Sequence, residues 1–184
     1  MSYYFHLFPA KPGVDPRAVA ATNDDELEAG SRDPAKEATK RKVADALIAH
    51  DPGLEVSAFD YDEIARLHRM RVDVAYQRFR RLELTDVSAG GSGVQIMLFD
   101  DSASVTVPFW HEGVGARADI ERVWSYIDVI CRATGYEVFD PQLDRVIERG
   151  AFDEVFANYE RAVRHVKDVA EPPVRHRRPW WKFW

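Results

Sequence analysis

Apolar and polar residues alternate along two neighbouring stretches of the chain in the pattern of a β-hairpin. The apolar positions are Val94, Ile96 and Leu98 in the first stretch and Val105 and Val107 in the second. A short polar segment, residues 100–102, separates them. Alternation with a period of two on both sides of a polar turn predicts two paired antiparallel strands within residues 94–109. Pro108 indicates that the second strand lies at a sheet edge, because proline has no amide hydrogen to donate.

Apolar residues spaced three and four apart predict two long helices in the second half of the chain. The first set is Ile120, Val123, Trp124, Ile127, Ile130 and Cys131, and the second is Phe152, Val155, Phe156, Tyr159, Val163 and Val166. This spacing puts the apolar side chains on one face of each helix, which then packs against a core. Gly135 follows the first set, at the position where glycine commonly ends a helix.

Two further helix starts are visible in the first half of the chain. Asp33 followed by Pro34 predicts a helix that runs to about residue 49, because aspartate favours the N-cap and proline the first helical position. Asp60 has Glu63 three residues on, which is the spacing of a capping box. The helix that follows is expected to break near residues 70–72, and a second helix is expected from 73 to about 82.

Together these elements predict one α+β domain over residues 1–173. Residues 2–8, 54–59 and 136–139 have the composition of short strands. We expect a small antiparallel sheet built from the first strand, the central β-hairpin at 94–109 and the strand at 136–139. Amphipathic helices should cover one face of this sheet, because a sheet with one apolar face must bury it against another layer.

Residues 174–184 differ from the rest of the chain in charge and in aromatic content, and we call them the aromatic–basic tail. They contain four basic residues and no acid, whereas the other residues comprise 21 basic and 31 acidic residues. An extended tail is expected because Pro172 and Pro173 precede it. The side chains expected to contact a partner are Trp180, Trp181, Phe183, Trp184, Arg177, Arg178 and Lys182.

Three uses of the tail fit this composition. It fits a docking peptide for another protein, because buried tryptophans are strong anchors at interfaces. It also fits a strap that packs back on its own acidic domain. Contact with a membrane surface is the third use, since tryptophan favours the bilayer interface and basic residues favour anionic lipid.

A small pocket near Trp110, His111 and Asp140 is the candidate for an enzymatic or ligand-binding site. Trp110 and His111 end a strand in a glycine-containing loop, and Asp140 ends the next predicted strand. Loops at strand ends are where binding residues concentrate. The spacing of the six histidines matches no zinc motif, so we expect neither a metal nor a cofactor. Cys131 lies on an apolar helix face, where a thiol is inert, and no catalytic residue can be assigned.

The predicted helix–break–helix at residues 62–81 carries six arginines, which suggests a degenerate helix-turn-helix. These residues are Arg66, Arg69, Arg71, Arg78, Arg80 and Arg81. Affinity for nucleic acid depends mainly on basic contacts to phosphate, and the domain outside the tail is acidic. Nucleic-acid binding is therefore the least favoured alternative.

The N-terminal residues and the single cysteine indicate in which compartment the protein is expected. The first residues, MSYYFHLFPAKPG, contain neither the basic nor the apolar region of a secretory signal. The single cysteine permits no internal disulfide, as is usual in a reducing compartment. We expect a cytoplasmic protein.

Several segments resemble a family of small bacterial proteins. They are MSYYFHLFPAKPGVDP, FDYDEIARLHRMRVDVAYQRFRRLEL, GVQIMLFDDSASVTVPFWH and VWSYIDVICRATGYEVFDPQLDRVI. Family proteins often carry glycine where Arg69 stands here. The resemblance implies no activity and no site residue. The leading hypothesis is thus a non-enzymatic interaction protein, of the immunity or adaptor kind, with the tail as its docking peptide.

Overall fold

The computed structural model describes residues 2–10, 13, 15–20, 33–57, 59–87 and 92–170. The strands in this part of the chain are β1 (Ser2–Pro9), β2 (Leu54–Val56), β3 (Leu82–Asp86), β4 (Gln95–Leu98), β5 (Ala103–Pro108), β6 (Tyr136–Asp140) and β7 (Arg145–Ile147). The helices are α1 (Pro16–Ala20), α2 (Pro34–His50), α3 (Tyr61–His68), α4 (Val72–Arg78), α5 (Gly113–Thr134) and α6 (Phe152–Ala170). None of these helices combines the length and apolar character needed to cross a membrane.

The strands form one antiparallel sheet of seven strands in the order β2-β3-β4-β5-β1-β6-β7. The predicted hairpin is its centre: β4 pairs with β5, and Leu98 faces Ala103. The amide of Phe99 donates to the carbonyl of Ser102 (2.9 Å), which closes the turn. The α+β architecture with a central hairpin is confirmed.

The core lies between one face of the sheet and helices α2, α5 and α6. Alternate residues of each central strand point into it, as the period of two requires. The fully buried strand side chains include Tyr3, Phe5, Leu7, Ile96, Val105 and Val107. The helices contribute the apolar faces that their sequences predict, with Leu47, Ile120, Ile130, Val155 and Tyr159 among the most buried residues. The helical cover on this face of the sheet is thus confirmed.

Local capping signals correctly mark the starts of α2 and α3 and the end of α5. The Asp33 carboxylate accepts a hydrogen bond from the amide of Ala35 (2.8 Å) at the start of α2. The Asp60 carboxylate accepts one from the amide of Glu63 (2.9 Å) at the start of α3. Gly135 ends α5 with a φ of 75°, a left-handed conformation that glycine adopts without a steric cost.

The segment after α4 differs from its prediction. The helix expected to reach residue 82 ends at Arg78, and residues 82–86 form β3 between β2 and β4. Leu82 and Leu84 face Leu98 and Ile96 of β4, so pairing with the hairpin outweighs the helical pattern of the preceding residues. The three-residue strand β7 was also not predicted from the sequence.

Pro108 does not lie on an edge strand, so that prediction is wrong. Strand β5 has β4 on one side and β1 on the other. Pairing with β4 stops at Thr106, opposite Gln95. Pro108 is tolerated in an interior strand because it is the last residue of β5 and extends beyond the end of β4.

Helices α3 and α4 form a small unit with a separate apolar cluster of Ala65, Ala75 and Phe79. Arg69 joins them in the left-handed region, with φ 52° and ψ 43°. Glycine is the residue best suited to this conformation, and Arg69 adopts it here although residues with a side chain rarely do.

Candidate functional site

His111 lies between β5 and α5 and is held by both of its ring nitrogens. Its Nδ1 is 2.8 Å from Oδ2 of Asp119 on α5, and its Nε2 is 2.7 Å from the carbonyl oxygen of Ser92. Both neighbours offer hydrogen-bond acceptors to the ring nitrogens. The buried imidazole thereby ties the segment before β4 to the first half of α5, and neither nitrogen is turned towards open space.

Asp140, at the end of β6, is also buried and hydrogen-bonded. Its carboxylate accepts hydrogen bonds from the Tyr3 hydroxyl (2.6 Å) and from the amides of Gln142 (2.8 Å) and Leu143 (3.0 Å). Burial raises the pKa of this carboxyl, and the three hydrogen bonds oppose the rise. These contacts close the turn from β6 to β7.

Packed aromatic rings lie next to the segments that carry His111 and Asp140. The ring of Tyr159 lies 5.8 Å from that of Tyr3 and 6.0 Å from that of Phe109. The Tyr159 hydroxyl donates to the carbonyl of Pro108 (2.7 Å). Tyr159 thus packs against Tyr3, whose hydroxyl donates to Asp140.

Trp110, the third residue of the predicted pocket, is exposed over 67% of its surface. It covers Gly93, where an added Cβ would lie 2.4 Å from Cζ2 of the indole, and Gly93 has a φ of 66°. Both facts require glycine at this position.

A cavity of about 120 Å³ beside His111 is lined mainly by residues of α6 and by Glu112, and its lining includes neither Trp110 nor Asp140. The pocket near Trp110, His111 and Asp140 remains a prediction.

Cys131 is buried on α5, and burial raises the pKa of its thiol. A thiol in this state is a poor nucleophile, since the thiolate is the reactive form. In the described part of the chain, histidine, cysteine, aspartate and glutamate form no group of three that is placed to hold a metal ion.

Most of the arginines of the candidate helix-turn-helix contact acidic or aromatic side chains. Arg66 pairs with Glu63, Arg71 with Asp73 and Arg80 with Asp100. Arg81 lies over the ring of Phe59 at 5.3 Å. The ion pairs reduce the positive charge that Arg66, Arg71 and Arg80 offer for phosphate contacts.

A cavity of about 350 Å³ lies between α5, β6 and β7. Its apolar walls are Trp124, Ile127, Val138 and Ile147. The other lining residues are Ser125, three acids and one base: Glu121, Asp128, Glu148 and Arg149. The Trp124 indole donates to the carbonyl of Arg149 (3.1 Å) and so fixes the loop that leaves β7. We call this site the acidic-rimmed cavity.

The acidic-rimmed cavity could not be predicted from the sequence because no local pattern contains it. Its residues come from the middle of α5, from β6 and from residues 147–149. The period-3.6 pattern of α5 identifies Trp124 and Ile127 as apolar, but it does not show which strand they face. Recognition of β7 would have been needed to bring Ile147 and Glu148 to the same place.

The aromatic–basic tail, with Trp180, Trp181, Phe183 and Trp184, lies outside the described residues, as do Arg177, Arg178 and Lys182. Comparison of the chain with protein-family models, with curated proteins and with solved structures finds no match.

Proposed function

We propose that the chain is a non-enzymatic interaction protein of the immunity or adaptor kind, which recruits or blocks another protein through the aromatic–basic tail. The tail has four aromatic residues and four bases among residues 174–184. Tryptophan and arginine are the residues most often found as interface hot spots. The partner would present an apolar groove with acidic groups at its edge.

The observation that carries this proposal is the way in which the domain uses its polar groups. His111, Asp140 and Cys131 have the chemistry of catalytic side chains, yet they are buried and serve internal contacts. Large apolar side chains, in contrast, remain exposed on the α3–α4 unit, at Leu67, Val72, Val74 and Tyr76. Exposed apolar groups of this kind favour association with another molecule over catalysis.

The test is affinity purification of tagged full-length chain from its native host. Changing Trp181 and Trp184 to alanine should lower recovery of the partner by at least tenfold, since loss of two aromatic anchors costs more than 1.4 kcal/mol, which is a factor of ten in affinity. The matched control is Trp110→Ala, which removes an exposed tryptophan of the domain itself. Equal recovery with both variants would rule out the tail as the docking peptide.

A small-ligand site is the second candidate, and the cavity beside His111 is what favours it. Glu112, Glu160, Arg164 and Lys167 bring both signs of charge to this cavity. Isothermal titration with small zwitterionic metabolites, with Lys167→Ala as the comparison, tests this alternative.

A further inference from the structure

We propose that the aromatic–basic tail of each molecule docks in the acidic-rimmed cavity of the same molecule. This inference deepens the proposed function and rests on it, because it states where the docking peptide is held until a partner displaces it. Three independent properties support it: the shape and lining of the cavity, the charge of its rim, and the length of chain between α6 and the tryptophans.

The cavity has the size and the walls needed to take an aromatic side chain. About 350 Å³ falls at the lower end of the range for ligand pockets, roughly 300–1,000 Å³. Ile127, Val138 and Ile147 belong to the buried core and form its floor, while the Trp124 ring forms a wall. An indole that enters would meet aliphatic and aromatic surface, which favours offset or edge-to-face ring contacts.

The rim of the cavity presents acidic side chains, and the tail carries bases and no acid. Glu121 and Glu148 are exposed at the rim, and Asp128 lies beside them. Glu121 pairs with Arg117, and Asp128 pairs with Arg132 and with Arg149. The three acids nevertheless outnumber the one base that lines the cavity, whereas the tail carries four bases and no acid. Bases on either side of the tryptophans can therefore approach the rim without meeting a net positive charge.

The course of α6 determines how far the tail must reach. The Phe152 ring at the start of α6 lies 6.1 Å from the Trp124 ring, which is a wall of the cavity. At the other end of α6, Lys167 pairs with Glu112, just before the start of α5. Helix α6 therefore runs back along the first half of α5, and it ends at the side of the domain remote from the cavity.

The chain after α6 is long enough to return to the cavity. From Phe152 to Ala170 the helix is about 27 Å long, at 1.5 Å per residue. The ten residues from Ala170 to Trp180 span up to roughly 31–36 Å when extended, at 3.1–3.6 Å per residue. Pro172, Pro173 and Pro179 favour that extended form. Trp180 can therefore just reach the cavity, and Trp181 and Trp184 can reach it with chain to spare.

The experiment is fluorine NMR of the full chain labelled with 5-fluorotryptophan, with each of the five signals assigned by a single Trp→Phe change. We expect at least one signal of Trp180, Trp181 or Trp184 to differ from its position in urea and to be independent of protein concentration. The double variant Glu121→Lys/Glu148→Lys should move that signal back towards its denatured position. The matched control, Glu55→Lys, reverses an exposed acid on β2 and should move nothing.

Each result decides the inference. Tail signals at their denatured positions in the unaltered chain would overturn it. A dependence of the shift on protein concentration would overturn it in favour of docking onto a second copy.

Affinity purification separates the two proposals: if docking holds, Glu121→Lys/Glu148→Lys should raise partner recovery several-fold. Loss of the docked signal with partner recovery unchanged would leave the proposed function standing and the inference refuted. A docked signal in a chain that captures no partner through its tail would support the inference and refute the proposed function.

Discussion

The hairpin turn at Asp100 and the acidic-rimmed cavity both gather acidic side chains near the sheet, but they use them in different ways. At the turn, Asp100 lies 2.9 Å from Lys40 Nζ and 2.7 Å from Arg80 Nη2, and all three side chains are at least 92% buried. At the cavity, Glu121 and Glu148 are exposed to solvent. Charge enclosed by the fold fixes its structure, whereas charge at the surface remains available to a ligand.

The difference follows from desolvation. A buried charge costs several kcal/mol unless partners surround it, so the fold must supply those partners from several elements. Lys40 comes from α2, Arg80 from the segment before β3, and Asp100 from the turn between β4 and β5. Although burial works to raise the pKa of Asp100, hydrogen bonds from Lys40 and Arg80 lower it overall. Exposed rim acids need no such partners.

Removing the acid at the turn should have the largest effect on stability. Asp100→Ala removes the acid that Lys40 and Arg80 share, while Lys40 keeps its ion pair with Glu37, and loss of one partner from a buried pair costs about 3–5 kcal/mol. Urea unfolding followed by circular dichroism measures this loss. The matched control is Asp101→Ala in the same turn, because its ion pair with Lys36 is exposed and should contribute about 1 kcal/mol or less. Similar losses for both variants would contradict the comparison.

Replacing Asp51, the acid at the end of α2, should have an intermediate effect on stability, and this effect should depend on pH. Hydrogen bonding from Arg122, opposed by burial and aided by Tyr126 and Gly53, lowers the pKa of Asp51 to about 2. A carboxyl whose pKa is lower in the folded state contributes stability above its unfolded pKa, and that stability is lost as the pH falls from about 4 towards 2. Asp51→Asn should therefore cost about 2 kcal/mol at neutral pH.

The same variant should change the acid limb of the stability curve. Between pH 4 and pH 2 the unaltered chain loses the contribution of Asp51, whereas the asparagine variant has nothing to lose there, so the two curves should converge. Thermal unfolding at intervals of half a pH unit measures this. Asp144→Asn is the control, since Asp144 is exposed and pairs with Arg17. Parallel curves for the wild type and the Asp51 variant would refute the assignment.

The two regions also show which features could be predicted from the sequence. The hairpin turn was predictable because its signal is local: alternation stops at residue 98 and resumes a few residues later. The caps at Asp33 and Asp60 are local for the same reason. Strand β3 was not predictable, because residues 79–82 also fit the end of a helix and only the pairing of Leu84 with Ile96 decides between the two.

The polar contacts were less predictable than the strands. Asp100 could be identified as a turn residue, but not as the partner of Lys40, sixty residues earlier in the chain. His111 stood out in its loop, yet its attachment to Ser92 and Asp119 depends on how the segment before β4 and α5 approach each other. The acidic-rimmed cavity depends in the same way on the position of β7, a strand of only three residues.

Replacing the rim acids should have the smallest effect on stability. The salt dependence of that effect distinguishes the acidic-rimmed cavity from the hairpin turn most clearly. Glu121→Lys/Glu148→Lys changes exposed charges only, so its direct cost should lie within about 1 kcal/mol. Loss of tail docking would add to that cost, but this attraction also acts through exposed charges.

Salt screens such charges over about 10 Å at 0.1 M and about 3 Å at 1 M, and it screens buried pairs much less. In urea unfolding at both salt concentrations, the loss caused by the rim variant should therefore shrink towards zero at 1 M. The loss caused by Asp100→Ala should persist. If the rim variant lost as much at high salt as at low salt, its acids would be part of the folded framework, and the contrast between enclosed and available charge would fail.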